Sequence, residues 1–398
     1  MRKASPPALA TLILMTATST VTLNMIVPSL ANIARDLEAD YALISFALSG
    51  YLAVTAAVQL GVGPLSDRIG RRPVLLAALV VFTLASLGCA LAQNVWMLLA
   101  LRMLQAAVVS GYVLSLAIVR DTTEGAEAAQ LLGRISMAMA LAPMLGPMLG
   151  SVLDAAFGWR TVFLLYATAG VGLLCLAWWD VGETIRPMPD KGHGSTRLTA
   201  LLREPVFWCY ALCTAFSTGA FYIFLAGAPL VATVIFGIGT AELGVFVGSI
   251  TAGFMAGSWL GSRLVDRHPP ARVMLMGRIL ACLGLLGGLA VIAMGYLTPA
   301  LYFGSTIFVG LGNGMTMPNS NAGAMSVHPR LAGSAAGSTG ALTVLGGALM
   351  TTLTGLALSG QPSPVLLIGL MLLASFIGLL AAVAAIQLTE VQADVPPT

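Results

Sequence analysis

The stretch GVGPLSDRIGRRPVLL, residues 61–76, sets Asp67, Arg68, Arg71 and Arg72 within six positions of a chain that is only 9% charged. Charges at that spacing can pair with one another or with the negative C-terminal ends of neighbouring helices. Gly63 and Gly70 give the backbone freedom for a tight turn and a close approach. Two further groups stand out by where they fall. Arg102 lies inside the apolar run 96–118, where a guanidinium in lipid costs roughly 2.5–3.5 kcal/mol on insertion scales. Gln105 follows one turn deeper on the same helical face. Asp154 is close to the end of the apolar run 131–157. At about 1.5 Å per residue it stands roughly 5 Å along the helix axis from Arg102, within arginine's reach. Two blander readings compete, with Arg102 snorkelling to the surface and Asp154 pairing with Arg160. Gly146-x-x-x-Gly150 allows a second backbone close in, and Pro143 and Pro147 bend the same helix. Gly253, Gly257 and Gly261 repeat the four-residue spacing.

The elements that must position these groups follow from composition. Of 398 residues, 58% are hydrophobic, whereas a soluble domain carries about 25% charged residues. Nothing would be left to cover a soluble surface, so the natural solvent is a bilayer. A spanning helix needs about 20 mostly apolar residues. Twelve segments meet that test: 8–30, 42–63, 74–93, 96–118, 131–157, 161–180, 206–233, 241–263, 273–297, 299–322, 333–359 and 363–388. The first is too long for the apolar part of a signal peptide. With the N-terminus inside, sixteen of the nineteen Lys and Arg residues, Arg278 among them, fall on the inner side. Arg35 and Arg160 fall outside, and Arg102 is the sole charge assigned to a helix. Cytoplasmic loops favour Lys and Arg, which sets the orientation. Trp96 and Trp159 then sit at outer helix ends, and Trp178, Trp179 and Trp208 at inner ends, as an interfacial belt.

The polar stretch 181–205 reads as a cytoplasmic linker between two six-helix halves. The expected organisation is a bundle over 1–185, a linker over 186–204 and a bundle over 205–398. GPLSDR (63–68) and SRLVDR (262–267) follow equivalent helices of the two halves. Parallel six-helix repeats with a substrate site near midplane are the architecture of the major facilitator superfamily.

Further residues strengthen that resemblance. GPLSDRIGRRPVL is similar to the superfamily's loop between helices 2 and 3. LLALRMLQA (98–106) resembles the helix 4 motif of its proton-coupled drug exporters, with Ala106 where glycine is usual. APMLGPMLGS (142–151) resembles their helix 5 antiporter motif, and GWRTVF (158–163) their turn into helix 6. NMIVPSLANIARDL (24–37) resembles helix 1 of the bicyclomycin- and chloramphenicol-resistance branch. The resemblance implies an all-α membrane fold of twelve helices in two pseudo-symmetric bundles. It implies that Gly63, Asp67, Arg68, Gly70, Arg71 and Arg72 latch the halves on the inner side. It also implies that Gly146, Pro147 and Gly150 shape the cavity, which helices 1, 4, 7 and 10 line. Those helices offer Asn24, Gln105, Tyr112, Phe221, Tyr222, Phe224, Asn313 and Met317.

One departure matters. Exporters of this type commonly carry an acid on helix 1, and the matching position here is Asn24, which cannot titrate. Arg102 and Asp154 become the candidates for proton coupling. No acid lies deep in any expected helix, and His193, His268 and His328 fall in loops.

The expected function is therefore multidrug or antibiotic efflux by proton antiport with alternating access, across a bacterial inner membrane with both termini cytoplasmic. A transporter of a small metabolite is the alternative. The partners expected are a small amphiphilic drug-like substrate, protons and the lipid bilayer, with no nucleic acid, cofactor or metal, and a monomeric state. A primary pump is disfavoured because Lys3 and Lys191, the only lysines, follow no glycine-rich phosphate loop. An enzyme is disfavoured because G-x-S-x-G and H-E-x-x-H are absent. Cys89, Cys175, Cys209, Cys213 and Cys282 form no CxxC pair and read as apolar fillers.

Overall fold

The computed structural model describes residues 7–123, 131, 135, 145–184, 201–328, 332–360 and 362–393. These residues form helices and turns, with no strand among them. Helix α1 is broken. It runs Leu9–Asn24, passes through a 3-10 turn at Val27–Ser29 and resumes over Leu30–Asp36. Pro28 withholds a backbone donor inside that turn, which is enough to interrupt an α-helix. The helices α2 (Tyr41–Ile69) and α3 (Arg71–Ala90) follow. In α4, Val95–Gln105 and Val109–Thr122 flank a second 3-10 turn at Ala106–Val108. The described part of α5 is Leu145–Phe157, and α6 is Arg160–Asp180.

The remaining helices are α7 (Pro205–Ile235), α8 (Thr240–Val265), α9 (Pro270–Ala293), α10 (Pro299–Ser326), α11 (Ala332–Leu358) and α12 (Pro364–Ala393). Helices α7, α9, α10 and α12 all start on proline, whose fixed φ suits the first turn and whose missing N–H is one that turn leaves unbonded. Asn94 and Thr298 cap α4 and α10 by accepting from Met97 N (2.9 Å) and Leu301 N (3.4 Å).

Ten helices among the described residues are long and apolar enough to span a bilayer. The two of the expected twelve outside that set are α5, of which a short piece is described, and α10. The latter carries Asn313, Asn319 and Asn321 in one stretch, which dilutes its hydropathy. Large apolar side chains face outward, Leu84 at 63% and Leu349 at 60% exposure. Such a surface belongs in lipid.

Packing divides the chain into two compact units, Met1–Pro189 with Ile238–Gly248, and Asp190–Gly237 with Ser249–Thr398. Helix α8 is thus shared between them. In the first unit α3 packs on α6 and α4, and α1 on α4 and α6. In the second, α9 packs on α10 while α7 lies against α10, α11 and α12. The glycine ladder of α8 serves the α8–α10 crossing. A Cβ on Gly253 would sit 2.5 Å from Ile307 O, and one on Gly257 2.0 Å from Leu311 O. Gly310 and Gly314 of α10 return the contact against Ile250 O and Phe254 O.

Two sequence expectations are corrected here. Arg278 belongs to no inner loop: it is fully buried within α9, so Arg102 is not the sole charge in a helix. Trp159 is no interfacial anchor, because it is buried, stacks edge-on against Phe163 at 5.9 Å and donates from Nε1 to Asp36 at 3.1 Å. Trp96, Trp178 and Trp179 are exposed as a belt requires. Pro143 and most of the linker lie outside the described residues.

Candidate functional site

The inner turn of the first unit is a dense charge-assisted knot. Gly70 ends α2 at φ +115°, a conformation that favours glycine, and a Cβ there would lie 2.5 Å from Glu183 Oε2. The turn delivers the backbone N–H groups of Arg71 and Arg72 to the Glu183 carboxylate, at 3.0 and 3.4 Å. Arg71 pairs with Asp67 (2.6 Å) and with Asp121 of α4 (3.1 Å), and also donates to Ser66 Oγ. Arg72 donates to the Trp178 carbonyl near the end of α6 at 2.8 Å, its guanidinium over the Trp178 ring. These contacts bind α2, α3, α4 and α6 of one unit together. Asp121 and Glu183, both central to the knot, escaped the sequence reading. Arg68 is exposed, and Gly63 lies within α2 with nothing near its missing Cβ, so no close approach requires it. Asp266, the counterpart of Asp67, is exposed and forms no ion pair among the described residues.

Arg102 is fully buried and does not snorkel. It donates to the carbonyls of Thr22 (2.8 Å) and Ala47 (3.2 Å) and to Gln105 Oε1. Its guanidinium lies 4.2 Å from the centroid of Tyr51. Gln105 passes the chain on to Ser86 Oγ at 2.7 Å. Arg102 thereby clamps α1, α2 and α4, with Gln105 reaching α3. The planar five-donor fork of arginine suits several fixed acceptors at once.

The expected Arg102–Asp154 pair is not formed, because the donors of Arg102 go elsewhere. Asp154 is buried and accepts from Asn32 Nδ2 at 2.7 Å. Nor does Asp154 pair with Arg160, which bonds Asp36 at 2.5 Å and the Ala92 carbonyl. Asp154, Asn32, Asp36 and Arg160 line an open pocket of about 530 Å³.

The glycine–proline motif of α5 sits on the break in α1. A Cβ on Gly150 would fall 1.9 Å from Met25 O, inside any contact distance. One on Gly146 would be 3.5 Å from Asn24 Cβ, an ordinary contact. Pro147 is buried, and its carbonyl accepts from Ser151 Oγ at 2.6 Å.

The residues expected to line a cavity divide into two groups. Gln105 and Phe224 are fully buried, Phe224 edge-on to Phe303 at 6.1 Å, so both serve packing within their units. Tyr222 is buried with its ring against Gly347. Asn24 is buried and donates to Thr20 O, while its Oδ1 has no hydrogen-bond partner among the described residues. Tyr112, Phe221 and Met317 are half-buried, and Met317 Sδ lies 3.6 Å from Thr218 Oγ1. Asn313 takes a role the sequence did not announce. Its Oδ1 accepts from Arg278 Nη2 at 2.5 Å, while its Nδ2 donates to the Ser217 carbonyl at 2.9 Å.

The family model described as Major Facilitator Superfamily matches residues 12–351. The chain belongs to that superfamily. It is 30% identical over 351 residues to the uncharacterized MFS-type transporter YdgK of Bacillus subtilis, covering 84% of this chain and 85% of that one. It is 28% identical over 373 residues to multidrug resistance protein D of Escherichia coli, covering 90% and 91%. To the chloramphenicol resistance protein of Pseudomonas aeruginosa it is 32% identical, across 52% of this chain and 50% of that one. A solved bacterial homolog of the human lysosomal transporter Spinster, inward-facing and occupied, superposes with a TM-score of 0.78 at 16% identity, covering 98% of both chains. That likeness concerns the fold alone. The superfamily member described here is a multi-pass membrane transporter rather than an enzyme.

Proposed function

We propose that this transporter exports small amphiphilic antibiotics from the bacterial cytoplasm by alternating access, in exchange for protons. It acts as a monomer in the inner membrane, with both termini cytoplasmic. The carrying observation is the seat of α5 on the broken α1, Gly150 against Met25 O. It joins the glycine–proline motif of an antiporter to the helix that holds Asn24. The names of the multidrug and chloramphenicol resistance relatives support the substrate class.

The knot of Asp67, Arg71 and Arg72 works as the inner latch, its release accompanying opening to the cytoplasm. Within the first unit Asn24 and Tyr112, and within the second Phe221, Asn313 and Met317, offer groups to substrate. Mostly apolar surfaces with few polar groups suit promiscuous binding. Asp154 carries the proton. Among the described residues its side chain accepts from the neutral Asn32 amide, beside an open pocket that Arg35 and Arg160 also line.

Two outcomes test this reading in an efflux-deficient host. Expression of the chain should lower accumulation of neutral or weakly acidic amphiphiles, phenicols first, more than that of quaternary ammonium dyes. Desolvating a cation near buried arginines adds repulsion to its hydration cost. Stronger protection against a quaternary dye than against any neutral antibiotic would overturn the ligand assignment. Asp154→Asn should abolish uphill, pH-driven efflux while sparing downhill exchange, measured in proteoliposomes. Wild-type uphill rates in that variant would remove Asp154 as the proton site.

A further inference from the structure

Arg278 has an environment unlike that of Arg102. It stands eight residues past Pro270, the first residue of α9, about 12 Å along the axis at 1.5 Å per residue. That places it within the apolar body of the second unit, and its side chain is fully buried. Nε donates to Thr316 Oγ1 at 2.9 Å and Nη2 to Asn313 Oδ1 at 2.5 Å. Both acceptors are neutral and each is itself committed. Thr316 Oγ1 bonds the Met274 carbonyl at 3.2 Å, and Asn313 bonds Ser217 O. Nη1 is enclosed and has no hydrogen-bond partner among the described residues. Arg278 forms no salt bridge with any described carboxylate.

An arginine in a protein does not shed its proton, so this charge cannot be relieved by deprotonation. A buried donor left unmade costs about 1–3 kcal/mol, and more when charged. The α9–α10 contact uses Nε and Nη2, which satisfy Thr316 and Asn313, and leaves Nη1 without a role in the packing. Arg102, by comparison, has its guanidinium shared among two backbone carbonyls, an amide and a ring face. Arg278 is a cation whose Nη1, with two N–H groups, is left open among the described residues.

We infer that Arg278 Nη1, the guanidinium nitrogen that neither Asn313 nor Thr316 engages, is a binding site for a small monovalent anion. Two sources share that chemistry, inorganic chloride and the carboxylate of an acidic amphiphile. The chloride source is independent of the export reading, whereas the carboxylate source rests on it. Because the readout is binding rather than transport, loss of efflux with intact anion binding would break the export reading alone.

The test measures thermal unfolding of the purified full chain in detergent. Sodium chloride is titrated against sodium gluconate at equal ionic strength. In a second arm, nalidixic acid is compared with its methyl ester in gluconate. Chloride should raise the unfolding midpoint saturably in the wild type, by several degrees, and in R278Q the rise should vanish. That result assigns the inorganic source. A rise with nalidixate but not with its ester, again absent from R278Q, assigns the carboxylate source. R278K keeps the charge but not the fork, and should retain the effect with at least tenfold weaker apparent affinity. Should R278Q fail to fold, the wild type and R278K decide the matter. A wild type stabilised equally by chloride and gluconate, and equally by acid and ester, overturns the inference. So does an anion effect preserved undiminished in R278Q or R278K.

Discussion

Gly146 and Gly150 share one motif and one helical face, yet their surroundings separate them. A Cβ at position 150 would need Met25 O, part of a backbone already broken by Pro28, to retreat by more than an ångström. At position 146 the added methyl meets ordinary contacts at 3.5 Å. Overpacking against a rigid neighbour costs about 1–3 kcal/mol or more. Gly150→Ala should therefore lower the thermal midpoint and abolish efflux, while Gly146→Ala leaves both near wild type. Equal effects of the two substitutions on midpoint and efflux would refute the seating of α5 on α1. The spacing of the motif was legible in the sequence, because four-residue glycine periodicity is local. Which glycine bears the contact was not, since that depends on the break in α1, more than 120 positions earlier.

The inner turn shows the same limit on the scale of helices. The sequence displayed four charges within six positions, but not the distant acids that organise them. Asp121 lies 50 residues from Arg71, and Glu183 lies 112 residues away. Neither has any local pattern that marks it. Their positions at the ends of α4 and α6 become meaningful once those helices stand beside the α2–α3 turn. Asp180 plays a comparable part, accepting from Ala8 N at 2.8 Å and from Thr11 Oγ1 at the start of α1. Exposure ranks the two ion pairs of Arg71. Asp67 is 60% exposed and Asp121 22%, so the first pair is screened by water and worth at most about 1 kcal/mol. A hydrogen bond to a charged group is worth about 1.5–3 kcal/mol, a range the more enclosed Asp121 approaches. Asp121→Asn should lower the unfolding midpoint in detergent clearly more than Asp67→Asn. The reverse order would mean that the short pair with Asp67, not the inter-helix pair, holds the turn.

For the whole chain, apolar runs made the helices legible, while Arg102 and Arg278, both buried, were read unequally. Arg102 lies well inside its run and was recognised as intramembrane. Arg278 falls five residues into an expected run of 273–297, close enough to a loop to be counted with the basic inner residues. The double proline at 269–270 starts α9 earlier than hydropathy suggests, which carries Arg278 into the bundle. Removing it from the inner set leaves the orientation argument standing. In the expected topology fifteen basic residues remain on the inner side, against Arg35 and Arg160 on the other. The rule depends on Lys and Arg in short loops near the ends of spans, and a buried, neutrally bonded arginine contributes nothing to it. Reporter fusions should therefore place residues 65–73 and 185–203 in the cytoplasm, and residues 157–160 outside. Arg278→Leu should leave that pattern unchanged, whereas replacing Arg68, Arg71 and Arg72 together should weaken it at the first inner loop. An external signal from a fusion at residue 190 would break the parallel arrangement of two six-helix halves, and with it the placement of the latch on the cytoplasmic side.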